Sequence, residues 1–335
     1  MPEPRTTHRF FRHWRLWLLT AGALAASPWA VAQPAGDTIT FIVPYVPGGS
    51  ADRVGRVAAE SLAEILGIKV VVSNVPGSGG VTGTAAIASQ KADGKTLGLG
   101  ISTSMIGAQL FSPTATYNPT EDFEWLAILG TYPNAMVVSG KRPERSLDEL
   151  LATARTSATP LRYASFGVGT AGHLAGSFLR LEQRANLEHQ VIERAEDGYA
   201  MLASGQLDFF FDGVPNAGEA APRSGHRIVA VTSSTRIPSL PDAPAFGERW
   251  PGESFVVWVG VVAPRGLPPD VFSRLAGAIG VLVLEPRHAE ALRATGLTYA
   301  GLSGARAKEY IEDEIVRTAR LIGRMRGEIS RRPGT

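Results

Sequence analysis

The sequence contains no cysteine. Disulfide bonds, thiol nucleophiles, and metal or iron–sulfur sites held by thiolates are therefore excluded. Charged residues are also sparse, at 19% of the chain, whereas hydrophobic residues make up 44%, an ordinary fraction for a globular protein. That fraction excludes wholesale disorder, and the length of 335 residues suits two domains better than a single small core.

The common catalytic and cofactor-binding motifs are missing as well. Residues 94–96 resemble the end of a phosphate-binding loop, but Ser89 stands where that motif needs its first glycine. No G-x-S-x-G nucleophile motif occurs, and the histidines after residue 32 form no H-E-x-x-H or H-x-x-x-H pair. We therefore predict that the protein is not an enzyme and that it uses no cofactor and no metal.

The first 32 residues have the pattern of a signal peptide. Four arginines precede an apolar run at 16–26, and Ala30 and Ala32 supply the small residues that a signal peptidase recognises. The run is shorter than the about 20 residues that a membrane span needs. The sequence thus predicts export to the periplasm, with cleavage between Ala32 and Gln33, and an uncleaved anchor is the alternative.

The charge balance gives no reason to expect a nucleic acid partner. The whole chain carries a formal net charge of +2, with 33 basic and 31 acidic residues. Residues 1–32 hold four arginines and one glutamate, so the rest of the chain has 29 basic and 30 acidic residues and a net charge of −1. A nearly neutral chain lacks the basic surface on which binding to a nucleic acid depends.

Hydrophobic periodicity predicts alternating strands and helices. This alternation indicates an α/β protein with mostly parallel sheets. The predicted strands are 37–44, 68–73, 96–101, 123–129, 134–139, 161–165, 188–192, 207–211, 227–232 and 255–263. The predicted helices are 51–66, about 81–91, 147–155, 171–183, 198–203, 268–284 and 305–324.

Two glycine-rich turns, at 47–50 and 167–170, each follow a predicted strand and lead into a predicted helix. The first amides of a helix lack intrahelical partners, and together with the helix dipole they favour an anion. One such turn can be only a turn. The two turns lie 120 residues apart, which suggests two lobes with one turn in each. Two matched turns then predict a cleft between the lobes that closes on one carboxylate.

Two aspartates stand beside these candidate sites. Asp52 lies in the first turn of the predicted helix 51–66, where it either binds free backbone amides or contacts a ligand. Asp212 follows a strand, at the edge of an α/β sheet where ligands bind, and a buried capping role is the alternative.

Short motifs along the chain resemble one family, the extracytoplasmic receptors of the tripartite tricarboxylate transporter system, known as TctC or Bug-type proteins. The motifs are VPY at 43–45, PGG at 47–49, VVSNVPGSGG at 71–80, ADGKTL at 92–97, YNP at 117–119, ASFGVGTAGHLAG at 164–176, GQLD at 205–208, AVTS at 230–233, PSLPDAP at 238–244 and APRG at 263–266. Their order and spacing cover essentially the whole chain after the signal peptide.

The resemblance implies two Rossmann-like lobes joined by a hinge, in a type II periplasmic-binding-protein fold. Lobe 1 would be discontinuous, from 37–134 plus 238–330, and lobe 2 would be 135–237. The hinge would cross near 131–136 and near 235–246. The function implied is capture of a small organic acid, a carboxylate or an amino acid, for a membrane permease, by a protein that we expect to be a monomer.

In such receptors, backbone amides and ordered water hold the ligand carboxylate, and the resemblance adds Ser102 and Thr103 to the residues already selected. The predicted ligand-binding residues are Tyr45, Pro47, Gly48, Gly49, Ser50, Asp52, Ser102, Thr103, Gly167, Val168, Gly169, Thr170, His173 and Asp212.

The chain departs from the family at one segment. Where the family has a tyrosine and then a basic residue, this sequence has Ile192 and Glu193, followed by Arg194. Either Glu193 and Glu196 point to solvent, or one of them faces an ammonium group of the ligand.

Two other functions are consistent with the sequence. A periplasmic protein of this type can present its ligand to a membrane signalling receptor instead of a transporter. A secreted hydrolase on a similar scaffold would need a nucleophile with its base, or a metal cluster, and the sequence offers neither clearly.

Overall fold

Strands and helices alternate from Thr38 to Arg331 in the computed structural model, which describes residues 38–108, 111 and 115–331. The predicted signal peptide and its cleavage site lie outside the described residues. Within the described part, no helix is both long enough and apolar enough to cross a membrane.

The elements follow the predicted alternation closely. The strands are β1 (Thr38–Val43), β2 (Lys69–Asn74), β3 (Thr96–Ile101), β4 (Phe123–Val138), β5 (Leu161–Ser165), β6 (Leu187–Val191), β7 (Phe209–Gly213), β8 (Arg227–Val231), β9 (Val256–Pro264) and β10 (Thr298–Ser303). The helices are α1 (Ser50–Leu66), α2 (Val81–Ala88), α3 (Leu147–Thr156), α4 (Ala171–Leu181), α5 (Ala195–Ser204), α6 (Val214–Arg223), α7 (Phe246–Arg249), α8 (Pro269–Leu284), α9 (Pro286–Ala294) and α10 (Ala305–Arg331). A short 3₁₀ turn at Ser78–Gly80 precedes α2, and a π-helical turn at Thr103–Ala108 follows β3.

All these strands join one sheet, in which β4 is the shared strand. The strand order is β2-β1-β3-β9-β4-β7-β5-β6, and β8 and β10 also pair with β4. Residues 123–133 of β4 pair with β9, and residues 134–138 pair with β7. We call β1, β2, β3, β9 and β10 with the first part of β4 the first half-sheet, and β5 to β8 with its last five residues the second half-sheet.

The structure corrects the sequence prediction at β4, which is one strand and not two. The predicted strands were 123–129 and 134–139, and Gly130 and Pro133 lie between them, where proline usually marks the edge or end of a strand. Pro133 instead occupies the position where pairing with β9 ends, and Asn134 begins the pairing with β7. The missing N–H of proline therefore falls where β4 changes partners.

The prediction of mostly parallel sheets was also wrong, because the sheet is mixed. β1 pairs in parallel with β2 and β3, and β5 pairs in parallel with β6 and β7. The long strands β4 and β9 run antiparallel to their neighbours. The parallel units therefore lie on both sides of an antiparallel centre, and each brings a strand end and a helix start toward that centre.

Helix faces and strands build the core. In α1, Val54, Ala58 and Leu62 are fully buried at helical spacing, and Gly67 ends the helix in the left-handed conformation. The apolar sequence of β9 is buried along almost its whole length, as expected for a central strand. These packed elements hold the loops at the strand ends in fixed positions.

Candidate functional site

The central cavity lies between the two half-sheets. Its walls come from the start of α1, the start of α4, the segment before α5, the end of β7 and the middle of β4. Its lining residues are Tyr45 to Ala51, Thr103, Tyr132, Asn134, Ser165, Phe166, Thr170, Ala171, Gly172, Glu193, Ala195, Glu196, Phe211, Asp212, Gly213 and Val257. The cavity thus brings together the two predicted turns: all of the first turn, Pro47 to Ser50, lines it, and Thr170 lines it from the second turn.

Asp52 stabilises the first turn and does not line the central cavity. Its side chain is 2% exposed. Its Oδ2 accepts hydrogen bonds from the Gly48 amide at 2.8 Å and from Arg56 Nε at 2.8 Å, and its Oδ1 accepts one from Asn74 Nδ2 at 2.8 Å. Burial alone would raise the pKa of Asp52, but these hydrogen bonds outweigh burial and lower it. An ionised Asp52 therefore stabilises the turn by binding a backbone amide, which was one of the two roles that the sequence suggested for it.

The first turn presents the start of α1 to the cavity. Gly49 is the N-cap residue, and no side chain caps the helix there. Among the described residues, the Gly49 N–H has no hydrogen-bond acceptor, and the first amides of α1 have no intrahelical acceptors by geometry. The Gly48 amide, by contrast, is already bound to Asp52. Gly49 and the start of α1 therefore supply free donors, whereas Gly48 supplies the bend, at a φ of 87°.

Tyr45 and Thr103 form a second part of the first-half wall. Tyr45 Oη lies 2.6 Å from Thr103 Oγ1 and donates to the carbonyl of Gly79 at 2.8 Å. Burial raises the pKa of Tyr45 to about 12, so the phenol stays protonated. Ser102 lies elsewhere: its Oγ accepts from the Trp258 amide at 3.2 Å, and it lines a smaller cavity that also contains Gly169.

The second turn is held by Thr170 and His173. Thr170 is the N-cap of α4, where its Oγ1 donates to the Gly167 carbonyl at 2.8 Å and accepts from the His173 amide at 3.4 Å. His173 Nδ1 accepts from the Gly169 amide at 3.0 Å. His173 does not line the central cavity and supports the turn from inside α4.

His173 packs against His189, with ring centroids 4.7 Å apart. Burial first, and then the neighbouring His189, lower the pKa of His173 to about 3. Burial likewise lowers the pKa of His189 to about 4, with a further contribution from Arg180. Both imidazoles are therefore neutral at pH 7, so His173 can accept the Gly169 amide hydrogen.

Asp212 lies at the end of β7 and lines the cavity while being 2% exposed. Its Oδ2 accepts from Tyr199 Oη at 2.9 Å and from Asn216 Nδ2 at 2.7 Å. Burial raises the pKa of Asp212 to about 6, although these hydrogen bonds oppose the rise. Its position at a strand end agrees with the sequence analysis, and the carboxyl group is both hydrogen-bonded and in contact with the cavity.

Gly167 and Val168 line an outer cavity and not the central one. The outer cavity, about 380 Å³, shares Tyr45, Val46, Phe166 and Glu193 with the central cavity, which measures about 70 Å³. Its other walls are Pro76 to Gly80, Phe111 and Val191. Because they share these four lining residues, the two cavities are adjacent.

Sequence reasoning missed three polar residues of the central cavity, which are Tyr132, Asn134 and Ser165. Ser165 ends β5, whereas Tyr132 and Asn134 lie in the middle of the sheet. Tyr132 and Asn134 belong to β4, and each is 5% exposed. The predicted hinge segment near 131–136 was the signal that could have found them, because a strand that crosses between two halves also borders the cleft between them. Glu193 and Glu196 are exposed and also line the cavity, so they border the ligand site as well as the solvent.

Within the described residues, no group of three or more histidines, aspartates and glutamates has the arrangement to hold a metal ion. The polar groups at the cavity are backbone amides, hydroxyls, one side-chain amide and carboxylates. Such a set can bind and orient a small solute. Ser165 Oγ at the cavity lies 2.8 Å from His189 Nε2, but His189 itself does not line the cavity. Among the described residues, this imidazole has no hydrogen bond to a carboxylate that would orient it as a catalytic base.

Comparisons with known proteins agree with this arrangement. Residues 54–326 match the model of the tripartite tricarboxylate transporter family receptor. The chain is 32% identical over 286 residues, 85% of each chain, to the UPF0065 protein in the tcbD-tcbE intergenic region of Pseudomonas sp. strain P51.

Two solved structures are similar over most of the chain. The periplasmic binding protein BugD has a TM-score of 0.78 at 26% identity, and the match covers 86% of this chain and 97% of BugD. The R. palustris protein Rpa4515 with adipate has a TM-score of 0.80 at 26% identity, with the same coverage. These matches confirm the predicted α/β fold of a periplasmic binding protein.

The matched family consists of substrate-binding receptors and not of enzymes, which confirms that part of the sequence prediction. Of the predicted ligand-binding residues, Tyr45, the turn at 47–50, Thr103, Thr170 and Asp212 line the central cavity, whereas Asp52 and His173 line none of the three cavities described. The chain therefore belongs to the tripartite tricarboxylate transporter receptor family and is a periplasmic solute-binding protein.

Proposed function

We propose that this protein captures a small organic acid in the central cavity and delivers it to a membrane permease of a tripartite transporter. The observation that carries the proposal is the meeting of two helix N-termini at one cavity. α1 follows β1 of the first half-sheet, α4 follows β5 of the second, and the first residues of both line the cavity. Their unpaired amides and positive dipole ends favour a carboxylate.

A similar protein supports the choice of ligand class. Rpa4515 of R. palustris, with the same fold over 86% of this chain, has been solved with adipate. The central cavity of the present protein has no lysine, arginine or histidine in its lining, as far as the described residues extend. Backbone amides are then the donors that a ligand carboxylate meets first.

The proposal includes a hinge motion. Lobe 1 would comprise 37–134 plus 238–330 and lobe 2 would comprise 135–237, so that β4 crosses between them. Binding of the acid to both helix N-termini would favour the closed arrangement of the lobes. We propose further that the receptor is exported with a signal peptide cut between Ala32 and Gln33 and acts as a monomer.

A thermal-shift experiment tests capture directly. Residues 33–335 would be unfolded and refolded to remove any carried ligand, and then screened against dicarboxylates, monocarboxylates and amino acids. A ligand present at 100 times its Kd adds about 2.7 kcal/mol to the free energy of unfolding. A selective rise in Tm is the expected result, and the absence of a shift with every acid would contradict the proposal.

Gly49 offers a test of the amide site itself. Gly49 has φ −77° and ψ 175°, and that φ suits proline, so Gly49→Pro deletes one N–H with little backbone strain. Gly49→Ala keeps the N–H and meets no atom closer than 4.0 Å, which makes it the matched control. We expect Gly49→Pro to weaken binding of the acid at least tenfold and Gly49→Ala to change it little. Equal affinities in the two folded variants would exclude this amide as a ligand contact.

A further inference from the structure

The charged groups of the central cavity all have one sign. Asp212, Glu193 and Glu196 line it, and no lysine, arginine or histidine does so among the described residues. Arg194 is near the rim, but it is exposed and pairs with Glu196 at 3.4 Å. A ligand that carries only carboxylates would place like charges together in a space with little water, which is unfavourable.

Two buried polar side chains at the cavity also lack partners. Tyr132 Oη and the side-chain amide of Asn134 have no hydrogen bond to any described residue, although each residue is only 5% exposed. Both residues line the cavity, so a bound solute can supply the hydrogen-bond partners that these two side chains lack.

These groups are neighbours of Asp212. In the register of β4 with β7, Asn134 lies opposite Gly213, and Ala135 lies opposite Asp212. The Tyr132 ring lies beside Gly213, close enough that a Cβ added there would be 3.2 Å from Tyr132 Cε2. Asp212 Oδ2 accepts from Tyr199 and Asn216, and the carboxylate also receives a backbone hydrogen bond from Gly213. Oδ1 has no side-chain donor among the described residues, and a carboxylate oxygen can accept more than one hydrogen bond.

The open groups around Asp212 can accept three hydrogen bonds. The acceptors are Asp212 Oδ1, Asn134 Oδ1 and Tyr132 Oη, and a primary ammonium group has three N–H donors and no acceptor. The ammonium would also offset the negative charge of Asp212 and of the rim glutamates. The start of α1, on the first half-sheet, remains for the carboxylate.

We propose, on the basis of the function proposed above, that the ligand is a zwitterion whose ammonium group binds at Asp212, Tyr132 and Asn134 while its carboxylate binds at the start of α1. An α-amino acid is the simplest ligand of this class. Glu193 and Glu196 then make the entrance attractive to the ammonium end.

Matched pairs of ligands test the proposal. The refolded protein would be titrated by calorimetry with L-aspartate against succinate, L-glutamate against glutarate, and L-leucine against 4-methylpentanoate, with adipate included. We expect at least one amino acid to bind ten times or more tightly than its partner without the amino group. Equal or tighter binding of the acids lacking the amino group would overturn the zwitterion proposal and leave the proposed function standing. No binding of either class would contradict both.

Variants distinguish a contact with the ammonium from a general effect on the cavity. Asp212→Asn should weaken amino acid binding at least tenfold and change binding of the matched acid less than threefold. Glu193 is exposed, so Glu193→Lys should fold even where a change at the buried Asp212 does not, and it should weaken amino acids while strengthening dicarboxylates. Glu188→Gln, an exposed control on β6 outside the cavity lining, should change neither. Amino acid affinity that is unchanged in both Asp212→Asn and Glu193→Lys would refute the proposal.

Discussion

At the scale of single residues, Asp52 and His173 stabilise the two glycine turns in the same way. Each side chain accepts the amide of a glycine in its turn, Gly48 in one case and Gly169 in the other. In each case the accepting residue lies four positions after the glycine, inside the first turn of the following helix. Residues that a sequence suggests as ligand contacts thus act by giving the turns one fixed shape.

Replacing Asp52 should loosen the first turn. In Asp52→Ala, the Gly48 amide and the Asn74 side chain lose their acceptor, so the free energy of unfolding should fall by about 1–3 kcal/mol. Ligand affinity should fall as well, because the start of α1 is no longer held. Urea unfolding measures the first effect, with Glu60→Ala on the exposed side of α1 as the control. Equal stability of the Asp52 and Glu60 variants would show that the buried hydrogen bonds contribute nothing.

His173 should make the protein sensitive to acid. Its pKa is about 3 in the folded state, below the ordinary 6.5, so the unfolded chain binds a proton that the folded chain does not. The stabilisation is complete above pH 6.5 and is lost as the pH falls toward 3, by up to about 1.4 kcal/mol per pH unit. Urea unfolding between pH 7 and pH 4 should show this slope, and His173→Asn should reduce it. An unchanged slope in the variant would exclude His173 as its source.

At the scale of elements, sequence patterns predicted most of the strands and helices because burial gives them a clear period. β3 and β9 are continuous apolar runs, and α1 repeats its buried residues at helical spacing. The patterns failed where the local residue preferences differ from the structure that tertiary packing imposes. α6 contains Pro215, Gly218 and Pro222, which read as a loop, yet Pro215 stands in the first turn, where proline is tolerated.

Candidate site residues were likewise predictable where a local sequence pattern marks them and not where only tertiary contacts do. The glycine turns could be identified because glycine and the strand–turn–helix order are visible locally. Tyr132 and Asn134 could not, because a tyrosine and an asparagine in a strand have no special pattern. Only the pairing of β4 with β7 brings them to Asp212. The sequence analysis also missed α9 and β10. For β10 the reason is similar, because this strand pairs with β4, far away in the sequence.

The cap of α4 should matter for both stability and binding. Thr170→Ala removes the Oγ1 that accepts from the His173 amide and donates to the Gly167 carbonyl. Loss of an N-cap of this kind costs about 1 kcal/mol. We expect that decrease in chemical unfolding, together with weaker ligand binding, whereas Thr170→Ser should retain both. If Thr170→Ser is as unstable as Thr170→Ala, the methyl group and not the hydroxyl is responsible.

At the scale of the whole molecule, the two half-sheets touch across the central cavity. Ser50 Oγ lies 3.4 Å from the Gly213 carbonyl, and Arg53 Nη1 donates to the Pro215 carbonyl at 3.3 Å. Gly107 and Gly169 approach so closely that a Cβ at Gly107 would clash with the Gly169 carbonyl oxygen. These contacts join the two half-sheets on either side of the central cavity.

Removal of the ligand should open the cleft. The hinge motion proposed above predicts that the refolded, ligand-free protein has a larger radius of gyration than the same protein with ligand. Small-angle X-ray scattering with and without the best ligand of the thermal-shift screen measures the difference. Gly49→Pro should show a smaller decrease on addition of the same ligand. The same radius of gyration in both states of the unmodified protein would mean that the receptor binds without closing.

The sharing of β4 also bears on how the chain folds. The second half-sheet is continuous in sequence, from the end of β4 to β8, so its strands can pair as soon as residue 231 has been made. The first half-sheet depends on β9, which pairs with β3 about 160 residues away along the chain, and such distant pairings form slowly. The half that begins the chain should therefore be the last to fold, and until β9 arrives the open edge of β3 is a site at which two unfinished molecules can pair and aggregate.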